Sequence, residues 1–126
     1  MRLLISAMLV IVAVIHLLPL QGVLGAERLW TLYGLHIAEP NLAILMRHRA
    51  ILFGLLGLFF LVAAFRPELQ VGAIVVGFAS VLPFLYLAWT VGGYNTQVRR
   101  VVVADEIALA CLVVAAGALW YLRRQA

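Results

Sequence analysis

The chain has 126 residues, 67% of them hydrophobic and 11% charged, where a water-soluble domain carries about a quarter charged residues. With a mean hydropathy of +1.15 it cannot hydrate a full surface, which excludes an ordinary soluble domain and points to one integral membrane domain of a few helices. The net charge of +4 rests on arginine alone, and these arginines stand at the ends of apolar segments, where they anchor to headgroups or set topology. No nucleic-acid partner is expected.

The absence of lysine excludes Schiff-base chemistry such as a retinal linkage. The single Cys111 forms no disulfide within the chain. A spanning helix takes about 20 predominantly apolar residues at about 1.5 Å each, and four segments qualify. The first is residues 3–20, closed by Pro19 and the Gly22/Gly25 pair. An alternative for residues 1–25 is a signal peptide, but the apolar run exceeds the usual length of about 7–15 residues and carries His16. Residues 21–39 follow, and in "AERLWTLYGLHI" Leu29, Trp30, Leu32 and Tyr33 alternate with charge as in a short helix lying in the interface.

The second span covers residues 41–65, after the helix-starting Pro40, and the Arg66-Pro67-Glu68 turn stops it. So short a connection predicts that spans two and three are antiparallel neighbours. The third span is residues 71–92; Pro83 inside it should kink the helix and free a backbone carbonyl near mid-membrane. After "GGYNTQVRR" the fourth span covers residues 101–122. The expected fold is all-α: a single domain over residues 1–126, an integral membrane four-helix bundle with a short interfacial helix between helices 1 and 2. Trp30, Trp89, Trp120 and Tyr121 suit interfacial anchors. Small residues on the second and fourth spans (Gly54, Gly57, Ala104, Ala108, Cys111, Ala115 and Ala118) allow close approach within a protomer or in a homo-oligomer.

"LMRHRAILFG" opens the second span with Arg47, His48 and Arg49. Counted along each helix from the end that holds the termini, His16 lies roughly 20 Å up, Tyr86 roughly 22 Å, Arg49 roughly 24 Å and Asp105 roughly 26 Å. These groups share one layer just inside a hydrocarbon core about 30 Å thick. Buried charge requires a partner, so Arg49 is expected to pair with Asp105, and Glu106 to be answered by Arg47 or His48. Successive helical residues diverge by about 100°, so the three basic groups cannot all face inward, and one arginine snorkels to the headgroups. If Arg47 and Arg49 are both held inside, they do not count as loop charges, and the arginine bias then puts both termini in the cytoplasm.

Two interpretations of this layer stand side by side. The ion pairs fix helix register, or the groups form a ligand pocket in the outer half of the bundle. Its candidate residues are His16, Arg47, His48, Arg49, Tyr86, Tyr94, Asp105 and Glu106, with the long 21–39 connection as a lid. Proton relay or catalysis by His16 or His48 is a further option. A metal site from His16, His48 and Asp105 or Glu106 lacks a characteristic spacing, and the arginines disfavour a cation there.

At "HLLPLQGVLG", "NLAILMRHRAILFG" and "GGYNTQVRRVVVAD" the chain resembles small bacterial four-helix membrane proteins of DoxX-like organisation. Some DoxX-like members are associated with quinone-linked oxidoreductases. Similar chains are sometimes labelled phosphopantetheine adenylyltransferase. Those enzymes are soluble α/β nucleotidyltransferases with a T-x-G-H element, which "YGLHIAE" is not. The resemblance implies the bacterial inner membrane and adds no catalytic motif.

The expected function is therefore a membrane binding or accessory protein whose pocket holds a small amphipathic or anionic ligand, a lipid headgroup or a quinone, with no catalytic residue assigned. Alternatives are a small homo-oligomeric transporter or channel subunit, with His16 and Asp105 on a proton-coupled path, or a membrane component of a quinone-linked oxidoreductase. Transport is disfavoured by the almost wholly apolar terminal halves of spans one and four.

Overall fold

The computed structural model describes residues 1–20, 30, 31, 33, 34 and 39–125. Among these residues it is all-helical, with four long helices: α1 Arg2–Leu17, α2 Pro40–Ala64, α3 Gln70–Val91 and α4 Thr96–Gln125. All four are long and apolar enough to cross a membrane. The expected interfacial helix falls largely outside the described residues; within it, Trp30, Thr31 and Tyr33 are helical.

Local chemistry sets the helix ends. Glu39 caps α2 by accepting from the Asn41 amide at 3.0 Å and the Leu42 amide at 2.8 Å, and Pro40 supplies a first turn that needs no N–H of its own. A 3-10 turn, Pro67–Leu69, joins α2 to α3, with Arg66 and Glu68 paired at 2.7 Å on its exposed side. At Gly92 and Gly93, φ is +66° at both, a left-handed conformation that glycine adopts without strain, and α3 stops there.

α4 starts five residues before the expected Val101, and this corrects the sequence-based boundary. Asn95 Oδ1 accepts from the Val98 amide at 2.8 Å, so a side-chain cap nucleates the helix ahead of its apolar stretch. Thr96, Gln97, Arg99 and Arg100 thereby become a helical extension rather than loop.

The order of packing follows the small residues. α1 lies against both α2 and α4, and α3 packs on α4. A Cβ on Gly57 would stand 2.7 Å from Leu17 Cγ and 3.0 Å from the Ala13 carbonyl oxygen, and one on Gly54 would stand 2.6 Å from Leu20. Gly77 of α3 receives Leu112 of α4 in the same way. Ala108, Cys111, Ala115 and Ala118 of α4 are buried in this core. The small-residue faces are thus used inside the protomer.

α2 and α3, expected as packed neighbours, meet only sparsely. They are tied at the Pro67–Leu69 turn, and towards their other ends a cavity separates them. Near the turn, Ser6 Oγ donates to the Ala64 carbonyl at 2.5 Å, and Gln70 Nε2 donates to the same oxygen at 3.5 Å. These bonds answer a carbonyl left over at the end of α2. Pro83 lies within α3 without ending it.

The α2 cap carries a pH dependence. The Asn41 and Leu42 amides hold the Glu39 carboxyl below its ordinary value of 4.5, so folding favours the ionised form. A lowered folded pKa stabilises above the unfolded value and is lost as pH falls through the folded one. Amide hydrogen-exchange protection at Asn41 and Leu42 is therefore expected to fall on acidification below the carboxylate range. In Glu39→Ala it should be low at every pH.

Candidate functional site

The basic triplet fans out as helical geometry requires. Arg47 and His48 are exposed, Arg49 is half-buried and Ala50 is buried. Arg49 Nη1 donates to the Tyr33 hydroxyl at 2.5 Å. Its guanidinium carbon lies 4.5 Å from the Phe53 ring centroid, 5.3 Å from that of Tyr33 and 5.9 Å from that of Phe84. Phe53 is four residues along α2 and so shares the Arg49 face. Three ring faces and a hydroxyl thus hold this cation; each such ring contributes about 0.5–2 kcal/mol, depending on desolvation.

Tyr33 is itself held. Asn95 Nδ2 donates to the Tyr33 carbonyl at 2.7 Å, while the other side-chain atom of the same residue caps α4. Gly34 has φ +66°, and a Cβ there would lie 2.7 Å from Gln97 Oε1, so only glycine fits. The Tyr33–Gly34 step is in this way fastened to the start of α4, with its ring over Arg49.

Arg49 faces the cavity between α2 and α3, about 350 Å³ in volume. Met46, Phe84, Leu87, Ala88, Val91 and Val98 give it an apolar wall, Tyr33 stands beside Arg49, and Tyr94 also lines it. On α3 the lining positions 84, 87, 88 and 91 follow helical spacing. Tyr86 falls between them and points away, 64% exposed. That corrects its expected place beside Arg49.

The Arg49–Asp105 ion pair does not form. No nitrogen of the Arg49 guanidinium lies within 4.0 Å of the Asp105 carboxylate, because the Arg49 side chain is turned to Tyr33 and the phenylalanines. Depth counting placed both groups in one layer but carried no information on helical phase. Arg49 is still the cation whose field reaches Asp105. Asp105, 5% exposed, lines a different cavity, between α1 and α4. Glu106, one residue on and about 100° round the helix, is exposed, so it does not join Asp105 in a buried cluster.

His16 is 1% exposed and lines neither cavity. Its Nδ1–H donates to the Val12 carbonyl at 3.0 Å. That assigns Nε2 of the neutral ring as acceptor from Ser80 Oγ, at 2.9 Å. The ring meets Phe60 edge-on at 4.8 Å and Phe53 at 5.5 Å. His16 therefore ties α1 to α3 and touches the site only through Phe53, the ring it shares with Arg49. Among the described residues no group of three or more His, Cys, Asp or Glu is placed to hold a metal ion.

No family model, curated protein or solved structure matches this chain. What the site does is therefore derived from its own donors and walls. Arg49 can only donate, and the Tyr33 hydroxyl, accepting from Arg49, keeps its own proton to donate. Apart from Tyr94, the remaining wall is apolar. Such a cavity suits a molecule with hydrogen-bond acceptors at one end and an apolar body. Tyr33, Phe53, Phe84, Asn95 and Ser80 had no place in the sequence-based site. The spacing of Arg49 and Phe53 and the lone hydroxyl of Ser80 in an apolar run were the available signals.

Proposed function

We propose that the chain is an integral membrane protein that binds a small amphipathic molecule in the cavity between α2 and α3. Its acceptor-bearing head meets Arg49 and Tyr33, and its apolar body lies along Phe84, Leu87 and Val91. The carrying observation is the half-buried Arg49 guanidinium in an otherwise apolar cavity where two helices separate. Membrane placement is supported by the four long apolar helices and by outward-facing Leu3, Ile44 and Phe65, which are 87%, 66% and 69% exposed. Water tolerates few such surfaces, whereas hydrocarbon requires them. The DoxX-like resemblance supports a bacterial inner membrane as the location.

Quinone carbonyls and an anionic lipid headgroup present the same acceptor chemistry to Arg49, and one experiment separates them. The protein is extracted from its native membrane in polymer nanodiscs, and the molecules retained are identified by mass spectrometry and ultraviolet absorbance. A quinone shows an absorbance that bleaches on reduction; a lipid does not. Loss of the retained molecule in Arg49→Met, in a protein that still inserts, is the expected result. Equal retention by Arg49→Met overturns the proposal.

A further inference from the structure

The second cavity, about 270 Å³, lies between α1 and α4 and is unrelated to the Arg49 pocket. Ile15 of α1 and Leu18 just past its end form one wall, Gln97, Arg100, Val101 and Asp105 of α4 another, and Thr31 also lines the cavity. Its volume is near the low end for small-molecule sites, about 300 Å³, which is the scale of a headgroup rather than of a whole lipid.

The polar groups are ordered in depth. α4 enters from the end opposite the termini, so exposed Arg100 stands about 7.5 Å nearer that end than Asp105. Going inward, the cavity offers a cation, then a buried carboxylate, then apolar wall. An ionised carboxylate accepts hydrogen bonds and gives none, so the group of an occupant that complements Asp105 is a donor. A free organic cation is opposed by Arg100 at the mouth. A diacyl phospholipid brings ester oxygens, which are acceptors, to the level of Asp105. A single-chain phospholipid brings a phosphate at the outer level, a free glycerol hydroxyl below it and its tail toward the midplane.

We propose that this cavity binds a lysophospholipid, its phosphate on Arg100 and its glycerol hydroxyl donating to Asp105. The site rests on the membrane placement proposed above and not on a ligand at Arg49.

The test uses the full chain in phosphatidylcholine nanodiscs, whose recovery with the protein scores insertion before any probe is added. Binding of lysophosphatidate is compared with that of its 2-deoxy analogue, which lacks only the hydroxyl. The hydroxylated probe is expected to bind at least about tenfold more tightly, the worth of one hydrogen bond to a charged group. Arg100→Gln should weaken both probes alike and leave their ratio unchanged. Asp105→Leu should remove the discrimination. Equal affinity of the two probes for the unaltered protein overturns the proposal without any variant having to fold, as does equally tight binding of diacyl phosphatidate.

Discussion

Replacing Gly57 with leucine is expected to lower the stability of the bundle by about 3 kcal/mol, the upper part of the range for overpacked cores. Even the first added carbon stands 2.7 Å from Leu17 Cγ and 3.0 Å from the Ala13 carbonyl oxygen. Leu17 can rotate away, but a backbone carbonyl inside α1 cannot, so the remaining atoms must push α1 and α2 apart. That interface also sets Phe53, the ring beside Arg49, against His16, so damage at Gly57 should spread to the site. Gly72 is the control, because nothing lies within 4 Å of a Cβ there. Gly72→Ala should be neutral or stabilising by up to about 1 kcal/mol through helix propensity. Unfolding in mixed dodecyl sulfate micelles, followed by circular dichroism, measures both. A Gly57→Leu protein as stable as its parent would show that α1 and α2 do not approach as described.

Arg49→Met should produce two separable losses. The first is in binding: one charge-assisted hydrogen bond is worth about 1.5–3 kcal/mol, which is roughly tenfold to a hundredfold in affinity. The second is in stability, because Asp105 then lies buried beyond the reach of the cation that offsets it. Removing one partner of a buried contact pair costs about 3–5 kcal/mol. Here the groups are more than 4.0 Å apart, and about 1–2 kcal/mol is expected. Asp105→Asn should recover most of that second loss, giving a coupling of about 1 kcal/mol in a double-mutant cycle, while leaving the binding loss in place. His48→Ala, one residue away on the exposed face of α2, should change neither quantity. Equal effects at His48 and Arg49 would mean that the basic triplet acts only as a headgroup anchor.

The contrast between His48 and Arg49 shows how far the sequence was informative. Four apolar runs with Pro40, Pro67 and the Gly92-Gly93 pair between them marked the helices, because each punctuates the chain through its own backbone chemistry. The start of α4 was not marked in that way. A cap is a single side-chain hydrogen bond, and Asn95 sits in a stretch that also suits a loop. Rise along a helix put Arg49 and Asp105 in one layer, and they do feel each other. Contact depends on helical phase and on rival partners as well. The Tyr33 hydroxyl and the Phe53 ring claimed Arg49 first, and Tyr33 comes from a segment whose path a linear count cannot supply. For Tyr86 the phase was available: it falls off the 84, 87, 88 and 91 series, and that alone turns it outward.

The claim on which the account depends is that the space between α2 and α3 holds a ligand, and filling that space tests it most directly. Leu87 lines the cavity, on α3 rather than on the α2 turn that carries Arg49. The measurement is equilibrium binding of a short-chain quinone analogue and of a short-chain phosphatidate to Leu87→Trp in neutral-lipid nanodiscs. The account predicts that whichever probe binds the unaltered protein binds this variant at least about tenfold more weakly, a loss of about 1.4 kcal/mol, with helix content unchanged. Unchanged affinity of that probe in a folded Leu87→Trp protein would contradict it.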